Sequence, residues 1–192
     1  RDRVSSSQDH LDNVKKKLQG HYSTPIYVIE QDLTQIGAAY EVYQKVTKEQ
    51  VLVTVLVNNA GFGLVGATNE IDLKQDEQMI IINTLNLVIL TKLFIAEMYK
   101  CGQGKILNVA STGAFQPGPY TSTYFASKAF VLSYSRAIRY EAKSKGVQIS
   151  TLCPGATRTN FFVREGTVTP TNSMTAEKAV SYTHLTLPTN SL

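Results

Sequence analysis

Leu52-Val53-Thr54-Val55-Leu56-Val57 is an unbroken run of apolar and β-branched residues, the pattern of a strand buried on both faces. Strands of that kind belong to parallel sheets covered by helices, which restricts the chain to α/β architectures. The flanking sequence agrees. Ahead of the run, a helix is expected over 8–18, a short strand over Ile26–Glu30 and a second helix over 36–50. Behind it come a long helix over 74–100, the strand Lys105–Val109, and a helix over 121–145 stopped by Gly146. The strand Val147–Leu152 follows, closed by Pro154-Gly155. Strands alternating with helices imply parallel βαβ units and a doubly wound sheet.

In such sheets ligands bind beyond the carboxyl ends of the strands. The chain places a polar or Gly/Pro element at each of these ends: Asp32, then Asn58-Asn59-Ala60-Gly61, then Ser111, then Pro154-Gly155. All four converge on one edge of the sheet. Thirteen residues beyond Ser111 stands Tyr124, with Lys128 four residues further on. Positions i and i+4 share a helix face, so the ammonium of Lys128 lies beside the phenol of Tyr124. A neighbouring cation favours phenolate and draws a tyrosine pKa down from about 10. Such a tyrosine exchanges a proton with a carbonyl or alcohol oxygen near neutral pH, and Ser111 could hold that oxygen from the other side. A Tyr-x-x-x-Lys pair alone is unspecific, since ten tyrosines and thirteen lysines in 192 residues give roughly 0.7 such pairs by chance. Its company at the strand ends gives it weight. Each residue also has a plainer reading. Ser111 could satisfy a strand end, Asn83 could pack inside its helix, Asp32 could cap a helix, and Pro154-Gly155 could be only a turn.

Composition removes several function classes. The net charge of +4 comes without any block of five or six like charges, and Lys15-Lys16-Lys17 reads as a solvated helix face, so no nucleic-acid partner is expected. The most apolar stretch, Met79–Ile95, is interrupted by Asn83, Thr84, Asn86, Thr91 and Lys92, which argues for a buried helix and against a membrane partner. Cys101 and Cys153 lack Cys-x-x-Cys spacing, and a reduced, cytoplasmic setting is expected. His10, His21 and His184 have no partners at metal-ligand or triad spacing, so no metal is expected. Gly61-Phe62-Gly63 is not a phosphate-cradling P-loop.

Taken together, Asn58-Asn59-Ala60-Gly61, Asn83, Ser111, Tyr124-Phe125-Ala126-Ser127-Lys128 and Pro154-Gly155-Ala156-Thr157-Arg158-Thr159 resemble the short-chain dehydrogenase/reductase family in order and spacing. The resemblance runs from about Asp12 to Ala179. The wording Ala114–Pro119 and Thr157–Phe161 is similar to a bacterial ketone or ketoacyl-reductase-like branch. What the resemblance implies is an NAD(P)-binding Rossmann fold and hydride transfer between NAD(P)H and a carbonyl or secondary alcohol. It makes Tyr124 the acid in reduction and the base in oxidation, with Lys128 lowering its pKa and bonding the nicotinamide ribose. Ser111 would polarise the carbonyl, and Asn83 would support a water-linked relay to Lys128. Asp32 would accept from the adenine amino group. Asn58, Asn59, Ala60 and Gly61 would let backbone and cofactor approach, while Pro154, Gly155, Thr157 and Thr159 would line the carboxamide. Tyr120 would wall the substrate pocket. A homodimer or homotetramer is implied, through the helices over 74–100 and 121–145. Alternatives on the same scaffold are a catalytically silent nucleotide-binding or interaction module, and an isomerase or dehydratase.

The chain also departs from that family. No Gly-x-x-x-Gly-x-Gly run precedes Asp32, the first glycine being Gly20. The expectation is a Rossmann domain over 1–180 that is truncated at both ends: the first two strands with their Gly-rich loop, and the last strand, are missing. This would leave Ile26–Glu30 without its neighbour and one edge of Leu52–Val57 open, with cofactor bound poorly. Residues 181–192 have no helical period and resemble translated sequencing-adapter sequence, a non-family tail. Arginines near the end of the second strand favour NADP over NAD.

Overall fold

The computed structural model describes residues 2–5, 7–157, 171, 173–176 and 178–179. The tail 181–192 and Thr159 lie outside the described residues, as does the expected boundary at 180/181. In chain order the elements are β1 (Asp2–Ser5), α1 (Gln8–Gln19), β2 (Tyr27–Glu30), α2 (Ala38–Lys48), β3 (Val55–Asn58) and α3 (Leu73–Ile80). There follow α4 (Asn86–Cys101), β4 (Gly104–Val109), α5 (Ser122–Ala142) and β5 (Val147–Leu152). A π-helical turn, Ile81–Leu85, joins α3 to α4, so the expected single long helix is broken in its middle. Local chemistry sets the ends. Ser7 caps α1 by accepting from the His10 amide. Gly102 stops α4 in the left-handed region at φ +65. Gly146 does the same ahead of β5 at φ +71, where a Cβ would also run into the Gly102 carbonyl.

Every ladder is parallel. β1 pairs with β2 (Asp2↔Tyr27 through Ser5↔Glu30), and β3–β4–β5 form a second ladder in that order. The pairing of β1 corrects the expectation that Ile26–Glu30 has no neighbour, while β1–β2 and β3–β4–β5 remain separate sheets among the described residues, in keeping with an incomplete Rossmann sheet. Ladder bonds come from the backbone, so Asp2-Arg3-Val4-Ser5 forms a strand without an apolar run to advertise it. β3 also begins at Val55, three residues later than expected, and Leu52–Thr54 only lead into it.

Side chains alternate across a strand, and this decides where the core sits. Leu56 is opposite Ile106, which is opposite Ile149, and Asn58 is opposite Asn108. That row faces α4 and α5. Val42, Val46, Phe94, Met98, Ile106, Ile138, Ala142, Val147 and Ile149 form one buried cluster there, with Leu56 packed against it. A smaller cluster of Leu87, Ala110, Val131 and Leu132 lies nearer the strand ends. The other row is different. Val55 and Val57 are 56% and 53% exposed, which corrects the expectation that this strand is buried on both faces: among the described residues, helices cover only one of them. The helical stretch Leu73–Cys101 is long and apolar enough to cross a membrane by length and composition alone. Here its Met79, Asn83, Asn86, Leu87, Thr91, Phe94 and Met98 are buried, while Ile80 and Leu85 face outward.

Candidate active site

α5 carries Tyr124 and Lys128 on the side that meets the sheet. Lys128 is 5% exposed. Its Nζ donates to the Val109 carbonyl at 3.0 Å and lies 5.8 Å from the centroid of the half-buried Tyr124 ring. Burial disfavours the ammonium and lowers its pKa to about 8, so at neutral pH the group is still mostly cationic. The carbonyl it binds belongs to the last residue of β4, two positions before Ser111. Helix and strand end are thereby joined at the two residues that the sequence spacing pairs.

Ser111 is half-buried and caps the short 3₁₀ turn Thr112–Phe115, its Oγ accepting from the Gly113 amide at 3.1 Å. That bond uses a lone pair and leaves the hydroxyl proton available to a ligand oxygen. The backbone on either side is tied to the neighbouring strand end, with Ala110 N donating to Leu152 O at 2.8 Å and Thr112 N to Pro154 O at 2.9 Å. Phe125 packs edge-on to Tyr124 at 6.0 Å. It also fills the space beside Gly113 and Gly118, where a Cβ would meet its ring. Between these elements lies Cys153, whose thiol is pushed up by burial while Arg136 and Lys128 pull the other way.

Asn83 stands in the π-helical turn and is 1% exposed. Its Nδ2 donates to Phe62 O and to Ser127 Oγ, both at 3.0 Å, and its Oδ1 accepts from Phe62 N at 3.2 Å. Ser127 Oγ in turn donates to Tyr124 O at 2.7 Å. Asn83 thus fastens the 61–62 turn to the helix of Tyr124 with both amide protons engaged. A Cβ on Gly61 would sit 2.6 Å from Asn83 Oδ1, and Lys128 Nζ is 3.5 Å from that point. Only glycine leaves room there.

The remaining expected residues divide. Asn58 is 8% exposed and turns inward, its Nδ2 donating to Thr91 Oγ1 at 3.0 Å and to Asn108 Oδ1 at 2.9 Å. Its side chain therefore builds the sheet–helix junction, and the expected approach of a cofactor concerns the backbone of this turn. Asn59 and Ala60 are exposed and Gly61 half-buried at the end of β3. Pro154 and Gly155 are half-buried, and among the described residues a Cβ on Gly155 would find nothing nearer than Met174 and Thr112 at 4.0 Å. Thr157 Oγ1 donates to Gly155 O at 2.9 Å, and Thr157 bridges to Met174. Asp32 is exposed beyond β2. Its Oδ1 accepts from Thr34 N (2.9 Å) and Thr34 Oγ1 (2.8 Å), its Oδ2 from Gln35 Nε2 (3.1 Å). The Thr34 amide above all lowers its pKa. Asp32 thus closes a turn with Thr34 and Gln35 instead of capping α2, whose N-cap is Gly37, and the carboxylate keeps a free acceptor site on Oδ2.

Sequence reasoning passed over Ser127, Asn86 and the network Asn58–Asn108–Ser135, in which Asn108 Nδ2 donates to Ser135 Oγ at 2.9 Å. A signal existed for Asn86 alone. Asn83 and Asn86 are three apart inside an apolar helical stretch, where amides are retained only when bonded.

A family model described as short chain dehydrogenase matches residues 3–167. The very-long-chain 3-oxoacyl-CoA reductase of Anas platyrhynchos is 32% identical over 157 residues, which are 79% of this chain and 49% of that protein. The chain spans about half the length of the curated relatives it matches. Among solved structures, a short-chain dehydrogenase from Sphingobium yanoikuyae in complex with NADPH superposes with a TM-score of 0.90 at 26% identity, over 96% of this chain and 72% of that one. The bulky-bulky ketone specific alcohol dehydrogenase from Comamonas testosteroni gives 0.85 at 28% identity, over 96% and 70%.

Proposed function

Because the chain belongs to the short-chain dehydrogenase family, we propose that it carries the proton-transfer centre of an oxidoreductase that moves a hydride between NAD(P)H and a carbonyl or secondary alcohol. One observation supports this above the others: a buried, cationic Lys128 lies 5.8 Å from the Tyr124 ring centroid and is tied to the strand end that presents Ser111. The donor set fits a nicotinamide dinucleotide. A cation and a phenol stand at the end of β4, beyond which Thr112 is bonded to Pro154, and a carboxylate with a free lone pair stands beyond β2. When bound, the nicotinamide supplies or accepts the hydride.

The protein's own residues do the rest. In reduction, Ser111 Oγ donates to the substrate carbonyl and fixes it against Tyr124, whose hydroxyl delivers the proton to the same oxygen. Lys128, held by Val109 O, keeps positive charge by the phenol and so stabilises the phenolate that remains. In oxidation, that phenolate removes the alcohol proton. Asn83 serves through position: both of its amide protons are already engaged by Phe62 and Ser127. A water relay to Lys128 is therefore left to backbone groups of the turn and to the second lone pair of the Asn83 amide oxygen. Catalytic work is assigned to Ser111, Tyr124 and Lys128, with Asn83 positioning them.

The finer assignments are also proposals. NADP is preferred to NAD, in keeping with the NADPH bound to the Sphingobium relative. A ketone or 3-oxoacyl substrate is in keeping with the names of the relatives. Self-association is assigned to the helical stretch Leu73–Cys101, where Leu85 is exposed, and to α5, where Phe130 and Tyr140 are exposed. A cytoplasmic setting without nucleic-acid or membrane partners completes the reading. NADPH consumption with a ketone panel tests the central point. Tyr124→Phe is expected to cut turnover at least about 100-fold, and turnover that survives it refutes the assignment.

A further inference from the structure

Asn86 is the first residue of α4 and is 1% exposed. It lies one turn beyond Asn83, on the far side of the π-helical break, yet it contacts nothing near Tyr124. Its Nδ2 reaches instead to the loop beyond β2, donating to Leu33 O at 2.7 Å and, over a longer 3.4 Å, to Gln35 O. Its Oδ1 is buried and has no partner among the described residues. A leucine would fill the same space without burying an unpaired oxygen. What the amide adds is the donor, and both carbonyls it serves belong to one short loop.

That loop is the one that shapes Asp32. Thr34 and Gln35, which supply all three bonds to the Asp32 carboxylate, stand on either side of or at the carbonyls that Asn86 holds. Gln35 N also donates to Asp32 O, and Ala38 N to Gln35 O, at 3.3 Å each. The order of dependence is therefore clear. α4 fixes Asn86, Asn86 fixes the 33–35 backbone, and that backbone fixes the direction of an exposed carboxylate. Lys45 of α2 holds the preceding Glu30 carbonyl and Gln31 side chain, and Leu33 packs against the core, but among the described residues Asn86 is what bonds the Leu33 carbonyl from outside the loop.

We propose that Asn86 is a positioning residue for the adenine end of the dinucleotide, holding Asp32 aligned to accept an exocyclic amino group. This rests on the cofactor reading above and adds to it a residue fifty-three positions from the nearest carbonyl it binds. One helix break would then order both ends of the site, through Asn83 on one side and Asn86 on the other.

The test has two readouts, neither of which is turnover. Amide hydrogen exchange is compared in the 192-residue chain and its Asn86→Leu and Asn86→Ala variants. Exchange at Thr34, Gln35 and Ala38 should quicken at least about tenfold, with the Phe62 amide and α5 unchanged. Adenosine monophosphate and nicotinamide mononucleotide are then titrated by NMR. The variants should bind the first at least about fivefold more weakly and the second unchanged, and in an Asp32→Ala background the loss of Asn86 should have no further effect. Uniform or absent exchange changes overturn the clamp, as does unaltered affinity for adenosine monophosphate. Failure of the unsubstituted chain to bind adenosine monophosphate, with the loop still responding, overturns the cofactor reading and the adenine role together.

Discussion

The corner that holds Ser111, Tyr124 and Lys128 and the loop that holds Asp32 are secured in different ways. At the corner, bonds run between distant parts of the chain: Lys128 to Val109, Asn83 to Phe62 and Ser127, Asn58 to Thr91 and Asn108, Asn108 to Ser135. Most of these groups are buried. At the loop, the Asp32 carboxylate is exposed and its bonds come from residues two and three positions away, with Asn86 on the Leu33 and Gln35 carbonyls and Lys45 on Gln31 as ties from further along the chain. Buried bonds between elements must all form at once or not at all, because each unmet partner is costly away from water. Local exposed bonds can break one at a time. The proton-transfer corner should therefore fail cooperatively, and the loop gradually.

The sharpest way to break that contrast is Asn108. Fully buried on β4, it accepts from Asn58 and donates to Ser135, so Asn108→Leu strands an amide donor next to a new apolar side chain. The expected loss is about 3 kcal/mol of unfolding free energy, read as a lower urea midpoint at unchanged slope. Ser135→Ala, which removes only the outer partner, should cost about 1 kcal/mol. Equal and small effects for both would show that the corner is no more cooperative than the loop.

Lys128 tests the same corner through charge. Its pKa in the folded chain lies below the ordinary lysine value, at about 8. The unfolded state thus binds more protons between pH 8 and 10.5, and this group's contribution to stability rises with pH across that window. Relative to Lys128→Met, the unsubstituted chain should gain about 2 kcal/mol between pH 7.5 and 9.5. Measuring the difference between the two chains removes the titration of the other tyrosines and lysines. A gap that stays flat would mean that Lys128 is not buried as described.

The two regions also differed in how plainly the sequence announced them. The strand–helix alternation, the positions of Ser111, Tyr124 and Lys128, and their convergence at one edge were legible, because periodicity and i,i+4 spacing are local and survive without coordinates. β1 was not, since Asp2-Arg3-Val4-Ser5 pairs through its backbone and shows no apolar pattern. Nor was the bare face of β3: Val55 and Val57 look like core residues in any window, and only the placement of the helices exposes them. Asn58 reads as a turn residue in sequence, but the pleat at the end of β3 turns it inward. The roles of Ser127 and Asn86 depend on partners 44 and 53 residues away, which no local pattern encodes.

Gly61 lies where the corner meets the cleft, and it offers an intermediate effect. A methyl group there would sit 2.6 Å from Asn83 Oδ1, too close to be accommodated without moving a side chain that holds Phe62 and Ser127. Gly61→Ala should cost about 1–2 kcal/mol, with a selective rise in exchange at the Phe62 amide, whose acceptor is displaced. A Gly61→Ala chain with full protection there would mean that the turn shifts as a unit and that Asn83 is not its anchor.

Asp32 provides the smallest effect and the cleanest contrast. Its carboxylate is exposed and accepts from the Thr34 amide within its own turn, and that bond holds its pKa below the usual carboxylate value. The folded-state pKa is depressed, so the contribution to stability is present above the unfolded value and disappears as pH falls through the folded one, below about 3.8. Asp32→Ala should cost under about 1 kcal/mol at neutral pH. Exchange should rise only at Thr34 and Gln35, and the Phe62 amide and α5 should keep their protection. If instead Asp32→Ala lowers the urea midpoint as far as Asn108→Leu does, the loop is coupled to the corner through Asn86 more tightly than its exposed bonds indicate. The two ends of the site would then be one cooperative unit rather than two.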